Sequence, residues 1–143
     1  MPVDVVWFKR DLRARDHVPL LSASLSGRPV ICLYILENER LDQEDTDPIH
    51  LQWELDCAAD LSKTLDDSGA FLHYGLGSAT EVLEAIHLEH GIERLLSHEE
   101  TGNSWSYLRD IGVSNFCKSK GIKWIEYRNN GVVRRLKDRD DWK

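Results

Sequence analysis

Val5-Val6-Trp7-Phe8-Lys9-Arg10-Asp11-Leu12-Arg13-Ala14-Arg15-Asp16 is the stretch that decides the fold. Its residues up to Phe8 are apolar and predict a strand that is covered on both faces. The residues after Phe8 alternate between charged and small or apolar side chains. Arginine and aspartate that follow the first strand of an α/β sheet stand at the carboxyl ends of the strands, where open α/β sheets bind ligands. The stretch therefore predicts an α/β fold with a ligand crevice at this turn.

The rest of the chain continues the alternation of strands and helices. Predicted strands cover residues 3–8, 30–36, 70–74, 94–97 and 122–127. Predicted helices cover residues 19–25, 48–69, 79–90 and 105–119. This order favours a Rossmann-like, five-stranded parallel sheet with right-handed crossovers and helices on both faces. We expect the strand order 3-2-1-4-5, which places the ligand crevice beside strands 1 and 4.

The composition indicates one globular domain. The chain has 143 residues, of which 41% are hydrophobic and 30% are charged, and this allows a single core. The formal net charge of -7 argues against a general nucleic-acid binder. The three cysteines show no metal-binding spacing, and we find neither a signal peptide nor an apolar run of membrane length. These features predict a cytoplasmic protein that holds no metal.

The alternation fails after Tyr127. Asn129-Asn130-Gly131 reads as a turn, and residues 132–142 are too charged and too few to build another unit of the sheet. We therefore expect residues 1–128 to form the α/β domain and residues 129–143 to begin a linker. Val132, Val133 and Trp142 predict an apolar patch through which the chain self-associates.

Trp7–Asp16, WFKRDLRARD, resembles the amino-terminal signature of the photolyase/cryptochrome flavoproteins. Arg109-Asp110 and Tyr127 extend this resemblance more weakly. It implies that residues 1–128 are the α/β antenna domain of such a protein, and that residues 129–143 start the linker to a helical domain that holds FAD. It also implies that the antenna domain itself contains no catalytic residue.

The resemblance implies a light-harvesting domain that passes excitation to FAD in the helical domain. The parent that the resemblance favours is a DNA photolyase, in which the reduced FAD repairs pyrimidine dimers in damaged DNA that binds through that domain. Two alternatives stay open. One is a cryptochrome domain that serves a blue-light sensor, and the other is a stand-alone nucleotide-binding α/β protein.

Three predicted loops carry residues that suit a flat, polar chromophore, because guanidinium and indole faces stack on rings and carboxylates accept hydrogen bonds. The candidate antenna-pocket residues are Phe8, Lys9 and Arg10 after strand 1, Glu37 and Asn38 after strand 2, and Glu99, Glu100 and Trp105 after strand 4. The charges after strand 1 would equally serve as ion pairs that brace the loop. We expect structural or interdomain roles for Asp11, Arg13, Asp16, Arg109 and Asp110.

The residues before Arg109-Asp110 bear on the identity of the chromophore. Folate-bearing relatives carry an Asn-Glu pair there, and this chain has Trp105-Ser106. The resemblance therefore implies a deazaflavin, flavin or lumazine type of antenna, or an emptied site, rather than a folate. Gly75–Thr80 resembles a glycine-rich phosphate turn without its third glycine. A tight strand-to-helix turn that Ser78 caps explains this segment better.

Overall fold

A computed structural model describes residues 2–9, 12, 17–37, 48–67, 70, 72–99, 104–127 and 137–138. Strands and helices alternate along this part of the chain. In order, they are β1 (Val3–Phe8), α1 (Val18–Ser24), β2 (Val30–Leu36), α2 (Pro48–Asp67), β3 (Leu72–Leu76), α3 (Ala79–His90), β4 (Ile92–His98), α4 (Ser104–Lys120), β5 (Lys123–Tyr127) and β6 (Lys137–Asp138). Val132, Val133 and Trp142, the residues of the predicted apolar patch, lie outside the described residues.

The strands form one sheet with the order β3-β2-β1-β4-β5-β6. The first five strands pair in parallel, which confirms the predicted sheet and its order. The sixth strand was not predicted. It consists of two residues that pair antiparallel with β5, with Asp138 opposite Ile125. Such a short and charged segment carries no periodic apolar pattern, so its pairing cannot be read from composition.

β3 begins and ends two residues later than the predicted third strand. Its register with β2 pairs Cys32 with Leu72 and Leu36 with Leu76, so Gly75 lies inside the strand. A Cβ atom at Gly75 would stand 2.7 Å from Cγ1 of Val82 on α3. The glycine, which usually signals a turn, is here required by the close approach of a helix to the sheet.

Helices cover both faces of the sheet, as predicted. Val5 and Trp7 of β1 pack on one face against residues of α3 and α4, which include Leu83 and Val113. Val6 and Phe8 pack on the other face with residues of α1 and α2. Successive residues of β1 point to opposite faces of the sheet, and helices cover both faces, so β1 is buried along its whole length. No helix in the described part of the chain is long and apolar enough to cross a bilayer.

An ion-pair cluster closes the edge of the sheet where β1 begins. Asp4 is fully buried and accepts hydrogen bonds from Arg94 (Nη2, 2.7 Å; Nε, 3.1 Å) and from Nε of Arg28 (2.9 Å). Burial acts to raise the pKa of Asp4, but the hydrogen bonds from Arg94 and Arg28 outweigh it and lower the pKa below its usual value. Asp4 is therefore ionised at neutral pH and ties β1 to β4.

Candidate functional site

A pocket of about 260 Å³ lies at the edge of the sheet where the parallel strands end, between α3 and α4. We call it the α3/α4 pocket. Its lining residues follow three different strands: Glu37 follows β2, Ser78, Ala79 and Thr80 follow β3, and Trp105, Leu108, Arg109 and Gly112 follow β4. The pocket opens to solvent beside Leu108, which is 64% exposed. This edge is where open α/β sheets place ligands.

An ion pair forms the polar part of the pocket wall. Nη1 of Arg109 donates a hydrogen bond of 2.6 Å to Oε1 of Glu37, and at most 7% of either side chain is exposed. The guanidinium carbon of Arg109 lies 4.9 Å from the ring centroid of Trp7 and 5.3 Å from that of Trp105. A planar cation near two indole rings is held by cation–π attraction as well as by the carboxylate.

A second ion pair stands behind Arg109. Nε of Arg109 donates to Oδ1 of Asp110 (2.9 Å), and Oδ2 of Asp110 accepts from Nζ of Lys9 (3.3 Å). Nζ of Lys9 also lies 3.8 Å from Oε2 of Glu126 on β5, and only 2% of the Lys9 side chain is exposed. We call Lys9, Asp110, Arg109 and Glu37, in this order, the charge chain. It runs from the interior of the domain to the pocket wall.

The first turn of α3 forms the third side of the pocket. The hydroxyl of Ser78 accepts a hydrogen bond from the backbone N–H of Glu81 (3.2 Å), and the Glu81 carboxylate reaches back to the backbone N–H of Ser78 (3.4 Å). This capping box confirms the predicted role of Ser78. It also places an acidic side chain at the helix terminus, which weakens the attraction of that terminus for a phosphate.

The structure brings together only some of the predicted antenna-pocket residues. Glu37 and Trp105 line the pocket. Lys9 lies behind Arg109 and does not line it. Glu99 is half-buried, and its backbone N–H donates to the carbonyl of Tyr127 on β5 (2.8 Å). The predicted residues that lie outside the described part of the chain are Arg10, Asp11, Arg13, Asp16, Asn38 and Glu100.

Phe8 requires a correction. It is fully buried on the face of the sheet that α1 and α2 cover, and its ring centroid lies 4.5 Å from that of His17. Trp7 and Lys9 face α4 instead, because side chains alternate along a strand. Phe8 therefore packs in the core on the side opposite to the α3/α4 pocket.

Arg109 was expected to be structural or interdomain, and the structure places it on the pocket wall beside Asp110. The helical periodicity of α4 could have predicted that Arg109 lies on the pocket wall. Trp105, Leu108, Arg109 and Gly112 are spaced i, i+3, i+4 and i+7, so they share one helix face. Once Trp105 is taken as a ligand-binding residue, this spacing identifies the other three.

The comparison with known proteins agrees with the fold. A family model described as DNA photolyase matches residues 4–137. Cryptochrome DASH from Gloeobacter violaceus is 32% identical over 101 residues, which are 67% of this chain and 20% of that protein. The chain thus spans about a fifth of the length of this relative.

Solved structures show the same architecture. The cryptochrome of Synechocystis superposes with a TM-score of 0.83 at 22% identity, over 90% of this chain and 27% of that one. The archaeal photolyase from Sulfolobus tokodaii, which was solved with two FAD molecules and is described as implying a novel light-harvesting cofactor, gives a TM-score of 0.75 at 22% identity, over 88% of this chain and 29% of that one. At this identity the likeness shows the fold alone. Because the family model covers nearly the whole sequence, the chain belongs to the DNA photolyase family.

Proposed function

We propose that the α3/α4 pocket holds a flat, light-absorbing heteroaromatic ring, and that the domain serves as the light-harvesting part of a photolyase or cryptochrome. One observation carries this proposal. The indole of Trp105 and the guanidinium of Arg109, both flat, line the same pocket as the carboxylate of Glu37. This combination suits a ring that stacks on one side and forms hydrogen bonds at its edge.

The individual side chains fit such a ligand. Trp105 and Leu108 offer apolar surface for the ring, and the carboxylate of Glu37 has acceptor sites in addition to the one that Arg109 uses. An N–H group of the ring can therefore donate to Glu37. The pocket volume of about 260 Å³ lies just below the range of roughly 300–1,000 Å³ that is common for drug-sized ligands. The pocket thus favours a compact ring whose substituents extend towards solvent.

Transfer of excitation through space requires a chromophore in a fixed orientation, and it requires no acid, base or nucleophile. A pocket whose wall is fixed by a hydrogen-bonded ion pair between the residue that follows β2 and helix α4 provides such a support. The acceptor that we propose is FAD in a helical domain, as the family resemblance implies. Residues 129–143 would lead to it, although Lys137–Asp138 still pair with β5 of the α/β sheet. In a photolyase, the excited reduced FAD would then repair pyrimidine dimers in DNA.

Ligand titration tests the pocket. We expect the purified protein to bind FMN or 6,7-dimethyl-8-ribityllumazine, with a steady-state fluorescence anisotropy close to that of an immobilised ring. Trp105→Ala should weaken this binding at least about tenfold, because a stacking surface is lost. Leu88→Ala is the matched control, because Leu88 is 79% exposed near the other end of α3. Tight binding of AMP together with no binding of either ring compound would contradict the proposal and favour a nucleotide-binding protein.

A further inference from the structure

The buried charges beside the pocket exceed what packing requires. Lys9, Glu37, Asp110 and Glu126 are each at most 8% exposed, and the side chain of Arg109 is 7% exposed. Removing charges from water is unfavourable, and apolar residues of similar volume often replace a buried ion pair without loss of stability. The best-attested use of such pairs is to fix one particular arrangement of side chains. The arrangement that this cluster fixes is that of the pocket wall.

The contacts along the charge chain show how the wall is held. Asp110 divides its two oxygens between Lys9 and Arg109, so its carboxylate cannot rotate without losing one of them. Arg109 in turn divides two edges of its guanidinium between Asp110 (Nε) and Glu37 (Nη1). Two edge contacts together with the neighbouring Trp7 and Trp105 rings fix both the position and the plane of the guanidinium.

We propose that Lys9 and Asp110 are positioning residues of the α3/α4 pocket. Neither lines the pocket; they act through Arg109, which they hold so that its Nη1 orients the Glu37 carboxylate. The cation of Lys9 lies near the carboxylates of both Asp110 and Glu126. Without this cation the two carboxylates repel each other, and Asp110 turns towards Arg109. The guanidinium then shifts, and the carboxylate that meets the ligand loses its fixed orientation.

The orientation of Arg109 is a property of the ligand-free protein, and nitrogen-15 NMR of the arginine Nε–H groups measures it directly. In the wild type, the Arg109 Nε–H should exchange with water more slowly than that of Arg28, whose side chain is 32% exposed. Lys9→Met and Asp110→Asn should each accelerate exchange at Arg109 at least about tenfold, because a charge-assisted contact in the chain is lost. Lys9→Arg, which keeps the cation, should restore slow exchange.

Asp4→Asn is the matched control. It makes the same chemical change as Asp110→Asn at a buried carboxylate that also binds arginine, but at the opposite edge of the sheet. It should lower stability and leave exchange at Arg109 unchanged. Unchanged exchange in Lys9→Met and Asp110→Asn would overturn the positioning role. If neither variant folds, equal exchange rates at Arg109 and Arg28 in the wild type would overturn it.

The effect on ligand binding rests on the proposed function and is measured separately. With FMN and 6,7-dimethyl-8-ribityllumazine as probes, Lys9→Met and Asp110→Asn should each raise Kd about tenfold or more, while Asp4→Asn keeps the wild-type Kd. If the wild type binds neither probe, the proposed function fails, and the exchange rates still decide the positioning role. If the wild type binds a probe and both variants bind it equally well, the positioning role fails and the proposed function stands.

Discussion

Asp4→Asn should lower the free energy of unfolding by about 2–3 kcal/mol at pH 7. Asp4 is fully buried and accepts three hydrogen bonds from two arginines. Breaking a buried ion pair costs about 3–5 kcal/mol when the remaining charge stays dry. Here the side chains of Arg94 and Arg28 are 19% and 32% exposed, so both regain contact with water, and asparagine keeps one acceptor oxygen. The expected loss therefore lies at or just below the lower end of that range, at about 2–3 kcal/mol.

Urea unfolding at several pH values provides the assay. In thermal unfolding at pH 7 the same loss should appear as a fall in Tm of about 4–12 °C. The pKa of Asp4 is lowered in the folded state, so its stabilising effect is complete above the unfolded value of 3.8 and disappears as the pH falls through the lower folded value. The difference between wild type and variant should therefore shrink below about pH 4. Asp66→Asn, at an exposed position on α2, serves as the control.

Two results would refute this reasoning. A loss of less than about 0.5 kcal/mol at pH 7 would place Asp4→Asn among ordinary surface substitutions, and the ion pairs would then contribute nothing. A difference that does not shrink as the pH falls below 3.8 would show that the amide disturbs packing, because protonation of Asp4 should reduce the effect of its charge.

Three further predictions concern packing, thiol reactivity and helix capping. Gly75→Ala should lower the free energy of unfolding by about 1–3 kcal/mol, because its Cβ would stand 2.7 Å from Val82, and Val82→Ala should recover part of this loss; no change in urea unfolding would contradict the contact. In the native protein a maleimide at pH 8 should modify Cys57 before Cys32, because burial raises the pKa of Cys32 to about 11. Mass spectrometry of the labelled peptides checks the order of labelling, and early labelling of Cys32 would count against the prediction. Ser78→Ala should lower the free energy of unfolding by about 1 kcal/mol, because it removes the side-chain cap of α3. Ser78→Asp should retain most of the stability, because an aspartate can accept the same hydrogen bond.

The fold was predictable because apolar periodicity and chain order determine it. Alternating strands and helices fixed the parallel sheet, and the continuous apolar run of β1 indicated burial on both faces. The errors arose where the role of a residue depends on a contact that the sequence does not show. Gly75 reads as a turn until Val82 is known to approach it, and the pairing of Lys137–Asp138 with β5 depends on geometry that composition does not record.

The pocket was predictable only in part, for a related reason. Glu37 and Trp105 follow strands at the edge where α/β sheets bind ligands, and both line the α3/α4 pocket. Phe8 was predicted to line the pocket because it lies next to the loop after β1. This prediction was wrong, because it ignored the alternation of side chains along β1, which turns Phe8 to the opposite face of the sheet. The ion pair of Arg109 with Glu37 joins residues 72 positions apart, a distance over which a single sequence gives no pairing signal.

The two ends of β1 use buried charge for different purposes. At the amino end, Asp4 is paired with two arginines that are partly exposed, so this cluster faces water and ties β1 to β4. At the carboxyl end the central charge is positive instead of negative. Lys9 is enclosed by carboxylates and two indole rings, and its contacts lead through Asp110 towards a cavity. A carboxylate in place of Lys9 would repel Asp110 and Glu126, whereas the same acid at the amino end is held by two cations. The central strand of this sheet thus has a buried acid at its amino end and a buried lysine just beyond its carboxyl end, on the side where α/β sheets bind ligands.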